Sequence, residues 1–289
     1  MDNLRAALLM VAAMLGFAIE DMGIKLLAGA LPLGQIILLL GIAGCVIFGT
    51  ILRTQKRAML PSALGSWPII LRCVGEVVGT FGFTSAITLT PLSSASAILQ
   101  ATPLVVTLGA ALFLQESVGW RRWSASIVGF LGVLLIVRPG LDGFDWLSLF
   151  AIQGVIGLAI RDLATRRVPP TTSSMQLSFL AFAMLVPTSI LLLAAFGDQL
   201  QPMTARQSLY IIATVAIAAL AYYAIVAAMR LGDVSFVAPF RYVRLVFAMI
   251  IGVAVFDEAP DILTLTGSAI IVVSGIYTVV RERKTAATI

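Results

Sequence analysis

Apolar residues run through this chain in blocks of about 20, and each block is closed by a short polar or turn-forming segment. The pattern predicts helices over 4–28, 33–52, 66–89, 93–115 and 121–138, and a second set over 146–166, 174–196, 206–230, 235–256 and 262–281. Pro32-Leu33-Gly34, Thr90-Pro91, Pro169-Pro170 and Glu258-Ala259-Pro260 mark the connections, none of them long enough for a soluble domain. Arg and Lys alternate with the blocks. With a cytoplasmic N-terminus, the inner loops and tails collect 12 basic residues against 3 outside, Lys25, Arg138 and Arg206, which predicts that both termini are cytoplasmic.

The chain also repeats itself. LGFAIED at 15–21 returns as IGLAIRD at 156–162, SSASAI at 93–98 as SFVAPF at 235–240, and LFLQE at 112–116 as AVFDE at 254–258. One shift of 141 to 142 residues carries the first half, 1–140, onto the second, 141–289. Five spans per half make the second copy enter the membrane in the opposite sense. The fold expected is therefore an all-α integral membrane protein of ten transmembrane helices, arranged as two inverted five-helix repeats.

Composition narrows the chemistry. At 60% apolar and 11% charged residues, with a mean hydropathy of +1.05, the chain is far from the roughly 25% charged average of soluble proteins. Its net charge of +5 is explained by topology rather than by nucleic acid, because the basic residues sit singly or in small clusters between apolar runs. With no histidine, and with Cys45 and Cys73 far apart, the sequence offers no metal site, disulfide framework or Cys-His catalysis, and no enzyme activity or cofactor is expected. It has no P-loop string with which to drive transport by ATP. Glu20 and Asp21 interrupt the first apolar block, which reads as a first helix rather than a signal peptide.

Eight charges fall inside predicted spans: Glu20, Asp21, Arg72, Glu76, Arg161, Asp162, Arg241 and Arg244. At roughly 2.5 to 3.5 kcal/mol per central charge, they must pair, snorkel or line a wet cavity. Arg72 and Glu76 stand one turn apart and either neutralise each other or gate. Arg241 and Arg244 share a face of the predicted ninth helix without an acid on that helix. They either hold a carboxylate or pair with Glu20, Asp21, Asp162 or Glu76 from other helices. Glu20 is replaced by Arg161 in the repeat, whereas Asp21 is kept as Asp162, and an acid in a cavity of low dielectric is a natural proton carrier.

Aromatic residues gather on the third, eighth and ninth helices as Phe81 and Phe83, Tyr222 and Tyr223, and Phe236, Phe240 and Tyr242. They are packing residues or ligand walls. Pro103 and Pro239 fall inside the predicted fourth and ninth helices, where a missing N–H frees a carbonyl for a ligand or a hinge.

Two inverted five-helix halves, acids closing the fourth span of each at Glu116 and Glu258, and the strings TSAITLTPLSSASAILQATPL at 84–104 and AAMRLGDVSFVAPFRYVRL at 227–245 resemble the drug/metabolite transporter superfamily. Within it, the chain is similar to the EamA-type members of bacterial inner membranes, among them the YddG-type amino-acid exporters. The resemblance implies a central cavity lined by the third, fourth, eighth and ninth helices with the first and sixth. It also implies a monomer in the lipid bilayer that moves a small-molecule substrate by alternating access, with a proton as possible partner. On that view Arg241, Arg244, Tyr242, Phe81, Tyr222, Tyr223 and Phe240 bind substrate. Glu20, Asp21, Arg72, Glu76, Arg161, Asp162, Pro103 and Pro239 gate or couple. The leading expectation is export of small zwitterionic metabolites, amino acids first, through Arg241 and Arg244. The first helix carries Gly16-Phe17 where many relatives have a tryptophan-serine pair, and its acids resemble those of uptake carriers for vitamin-like or nucleoside-like metabolites.

Overall fold

In the computed structural model, which describes residues 2–113, 120–138, 145–231 and 238–286, all regular structure is helical. The helices are α1 (Asp2–Ala28), α2 (Leu33–Thr54), α3 (Trp67–Leu89), α4 (Leu92–Leu99), α5 (Thr102–Phe113), α6 (Trp120–Val137), α7 (Ser148–Thr165), α8 (Ser174–Phe196) and α9 (Ala205–Leu231). A 3₁₀ helix, Ala238–Tyr242, then leads into α10 (Val243–Phe256), and α11 (Ile262–Ala286) follows. Among the described residues, seven spans are long and apolar enough to cross a membrane, and Trp123–Val137 and Ile262–Ser274 are shorter apolar helices. The outer faces carry Leu4, Val46, Ile127, Leu220 and Ile250, all exposed, as a lipid-facing surface requires.

Local chemistry sets several of the ends. Ser173 and Gln176 form a capping box at the start of α8, and Gly197, at φ +69°, closes it in the left-handed conformation that glycine adopts without penalty. Gln176 also donates to the carbonyls of Ala58 and Leu60, fastening the preceding loop to α8. At the other end of this layer Gln35 and Gln201 exchange two 2.8 Å bonds.

The two spans expected to hold Pro103 and Pro239 in their interiors differ from the sequence expectation, whereas Pro187 lies inside a continuous α8. The fourth is broken into α4 and α5, because Pro103 has no N–H to give to the Leu99 carbonyl; the Thr102 hydroxyl donates to that carbonyl instead, at 2.6 Å. Pro103 is thus the second residue of α5 rather than interior to one helix. Pro239 lies in the 3₁₀ helix ahead of α10, likewise outside any α-helix. The two interruptions meet where Gln100 Nε2 donates to the Arg241 carbonyl at 3.1 Å.

Helix pairing follows the internal repeat. α1 packs along α9, and α7, its counterpart in the second half, packs along α3, the counterpart of α9. Of the remaining pairs, α2 with α8 and α6 with α11 each join an element to its own counterpart, and α4 packs on α10, the counterpart of α5. Contacts of small residues repeat as well. Gly16 lies against Ala221, and Gly157 lies against Gly79, 141 and 142 residues away respectively. A Cβ added at Gly157 would stand 2.5 Å from Gly79 Cα and 2.8 Å from Val78 C, so only glycine permits that approach.

Candidate functional site

Three clusters of polar groups lie among the apolar helices. The first joins α1 to α10. Arg244 donates through Nη2 at 2.7 Å and through Nε at 3.2 Å to one oxygen, Oδ2, of Asp21. Its guanidinium carbon stands 5.3 Å from the ring centre of Phe17 and 5.4 Å from that of Phe83. Phe17 is one helical turn before Asp21, so α1 presents the ring and the carboxylate on one face. Glu20 lies within electrostatic reach of both Asp21 and Arg244, is half-buried, and forms no hydrogen bond or ion pair with the described residues. The arrangement is a cation between two aromatic faces, neutralised by one carboxylate, with a second carboxylate beside it.

Arg241 does not share this site as a twin of Arg244. The 3₁₀ turn separates their surroundings: the Arg241 side chain is exposed and forms no ion pair among the described residues, while its carbonyl binds Gln100. Tyr242 is 4% exposed, and its hydroxyl has no partner among the described residues. Phe240 packs on the α1 cluster of Ala6, Met10, Ala13 and Met14.

The second cluster joins α3 to α7. Arg161 binds Asp162 at 2.8 Å and Glu76 at 3.3 Å. Arg72 stands 3.8 Å from Glu76, a charge contact too long for a hydrogen bond, and its Nε and Nη1 are buried without partners among the described residues. The expected Arg72–Glu76 pair is therefore secondary to a bond between helices. Phe81 is in the same seam, 6.2 Å from Phe150, on the α7 side of α3. Tyr222 packs between Phe48 and Phe182 at the junction of α2, α8 and α9, and Tyr223 is 65% exposed. Phe81, Tyr222 and Tyr223 thus do not gather around Arg244; Phe17 and Phe83 hold the positions expected of them.

The third cluster was not legible as a site. Lys25, counted among the outer loop residues, belongs to the last turn of α1 and is only 14% exposed in its side chain. Its Nζ donates to Glu258 at 3.0 Å and to the Thr90 carbonyl at 2.7 Å, and it sits 4.9 Å from the ring centre of Phe256. Glu258 also accepts from the backbone N–H groups of Leu92 and Ser93 and, at 2.7 Å, from the Ser93 hydroxyl. Burial pushes the Glu258 carboxyl up, but the bonds from Ser93, Leu92 and Lys25 outweigh it and hold the group below its ordinary range. Glu116, the matching acid of the first half, and Phe236 lie outside the described residues.

An apolar groove of about 440 Å³ between α3 and α8, lined by Leu64, Ile70, Val74, Met184 and Pro187 among others, contains none of these charges. No group of acids, cysteines or histidines that would hold a metal ion occurs among the described residues.

Comparison with known proteins agrees with a chain of membrane-length helices. The chain is 27% identical over 215 residues to an S-adenosylmethionine uptake transporter of Rickettsia bellii, covering 74% of this chain and 73% of that one. It is 32% identical over 184 residues to a riboflavin transporter of Vibrio cholerae, covering 64% and 61%. It is 27% identical over 283 residues to a pseudopaline exporter of Pseudomonas aeruginosa, covering 95% and 96%. A solved crystal structure with a TM-score of 0.59 and 18% identity covers 96% of this chain and 98% of its own, and shows the same fold. The profile of the EamA-like transporter family matches residues 4–138 and again 145–281, one match to each copy of the repeat. A chain matched twice over nearly its whole length, and built as two copies that pair helix for helix, belongs to the EamA-like transporter family and is a membrane transporter, not an enzyme.

Proposed function

We propose that this multi-pass transporter of the bacterial inner membrane carries small zwitterionic metabolites of the amino-acid class by alternating access. In this reading ten spans form two inverted halves, 1–140 and 141–289, with both termini cytoplasmic. The excess of basic residues on the cytoplasmic side and the exchange-symmetric pairing of α1 with α9 and α7 with α3 support it.

One observation carries the substrate class: the Arg244–Asp21 pair held between Phe17 and Phe83, with Glu20 unpaired beside it among the described residues. Asp21 engages Nη2 and Nε of Arg244 and leaves Nη1 for a substrate carboxylate. Glu20 then meets the ammonium group, and the rings accept an apolar or aromatic side chain. Arg241 draws anions into the vestibule, and Tyr242 and Phe240 close the wall of the site. Arg161 with Glu76, Asp162 and Arg72 forms a gate between α3 and α7, and the interruptions at Pro103 and Pro239 are the hinges. A proton carried at Glu20 is the coupling ion, and the monomer is the working unit.

The direction proposed is export. Uptake of an amino acid joined to a nucleoside is the second reading, favoured by the two acids in α1 and by the uptake named for the Rickettsia bellii relative. Counterflow in proteoliposomes tests both, with labelled neutral amino acids and S-adenosylmethionine offered in turn. Exchange of at least one that falls about tenfold or more in Arg244→Ala is expected. If none exchanges, or if Arg244→Ala and Glu20→Gln transport at the wild-type rate, the assignment fails.

A further inference from the structure

We infer that Lys25 and Glu258 form a latch that holds the outer mouth of the transport path shut. The latch draws together four elements that would have to part for the path to open on that face. Lys25 comes from the end of α1, Glu258 follows the end of α10, the Thr90 carbonyl belongs to the C-cap residue of α3, and Leu92 and Ser93 open α4. Side-chain exposures of 14% for Lys25 and 9% for Glu258 put the pair in a region of low dielectric, where the ion pair is stronger than in water and loss of either charge weakens the junction.

Glu258 has two tasks there. It neutralises Lys25, and it caps α4, whose first N–H groups and positive helix end favour an anion. α4 and α10 belong to the interrupted spans that meet at Gln100 and Arg241, so one carboxylate ties the outer ends of both hinged spans to α1. In this structure the ends of α1, α3, α4 and α10 are joined on the face where α1 ends. That this face is the outer one rests on the orientation proposed above, and the latch itself does not depend on the substrate.

Spin labels attached to cysteines at Leu26 and Val255, in a background of Cys45→Ala and Cys73→Ala, report the separation of α1 and α10. Both positions are exposed, at 48% and 43%, and stand outside the latch. Electron–electron distances measured without substrate should show one short population in the parent protein. Lys25→Met and Glu258→Gln should each shift the ratio of open to closed forms about tenfold or more, equivalent to about 1.4 kcal/mol. Lys25→Arg should keep the closed form, which shows that the position tolerates change. The swapped pair Lys25→Glu with Glu258→Lys should stay open, because a cation at the start of α4 is repelled by the helix end.

Ratios within twofold of the parent for both neutral variants overturn the latch. A swapped pair as closed as the parent overturns the capping role of Glu258. An impermeant maleimide on Gly29→Cys, an exposed site beside the latch, decides the face independently. Labelling in intact cells supports the outer assignment; labelling in inverted vesicles alone overturns the orientation.

Discussion

Removing the charge of Asp21 strands Arg244 inside the protein, and the cost follows from its surroundings. The side chains of the pair are 4% and 19% exposed, so this is a buried ion pair, for which loss of one partner costs about 3 to 5 kcal/mol. The two losses are not equal. In Asp21→Asn the guanidinium keeps its residual exposure and the faces of Phe17 and Phe83, each worth about 0.5 to 2 kcal/mol, so the net cost should be about 2 to 3 kcal/mol. In Arg244→Met the carboxylate of Asp21 is left with neither, and the cost should approach 3 to 5 kcal/mol. The double variant removes both charges and keeps the apolar contacts, and it should fall within about 1 kcal/mol of the parent. A double-mutant cycle from denaturation in mixed micelles should therefore give a coupling of about 4 kcal/mol or more. Transport should be lost in all three variants, since the double variant restores packing without the cation. Single-variant losses below about 0.5 kcal/mol that simply add would show that the two groups are solvated and independent, and the recognition site would fall with the pair.

Tyr242→Phe removes a buried hydroxyl that has no partner among the described residues, so thermal stability should be unchanged or higher, while the apparent affinity for substrate in counterflow should weaken if that hydroxyl faces the ligand. Gly157→Ala should lower the melting temperature more than Gly16→Ala, because its Cβ meets the backbone of Gly79 and Val78, whereas the Gly16 Cβ meets the side chain of Ala221 at 2.7 Å; equal melting temperatures would refute the close approach of α3 and α7. Asp261, bonded by the N–H of Thr264 and by Arg138, is held down to about 2. A depressed carboxyl contributes stability above its unfolded value of about 3.9 and loses it as the pH falls through the folded value, so Asp261→Asn should melt below the parent at pH 7 and the gap should close between about pH 4 and pH 2.

Long apolar blocks made the helices legible, since a membrane-length run has few other readings, and the duplication made the halves legible. The interruption at Gln100 and Ala101 was hidden because hydropathy continues across it; Pro103 marked the neighbourhood, but the break precedes it by one turn, where the missing N–H leaves a carbonyl to Thr102. Arg244 was legible as a charge needing a partner. Asp21 was one of four candidates, because 223 residues separate the two and only the packing of α1 against α10 selects between them. Tyr222 and Tyr223 were inseparable in sequence because α9 is apolar on every face. Lys25 was assigned to a loop because it stands near a helix end, yet its ammonium turns inward to Glu258, a choice made by tertiary contacts alone.

The duplication separates what the two halves share from what each does alone. Shared features are steric: Gly16 on Ala221 and Gly157 on Gly79 set the same helix approach twice, and in the proposed inverted arrangement the packing of one half is available to the other in the opposite sense. Two arrangements built from equivalent interfaces lie close in energy, and a carrier needs this if neither state is to trap it. The differences are electrostatic. Asp21 reaches across to Arg244, whereas its counterpart Asp162 is bound by its own neighbour Arg161, which stands where the first half has Glu20. The place of Arg244 is taken in the first half by Thr102, whose hydroxyl is spent on the Leu99 carbonyl. Among the described residues, an arginine between two rings, with acids on one side only, therefore occurs once. A recognition site that was duplicated with the scaffold would present two equivalent stations. Here the scaffold is doubled and the charge is not, so on the proposed alternating-access cycle one station would serve both faces, and the residues that differ between the copies are the ones whose substitution should change what is carried rather than whether the protein folds.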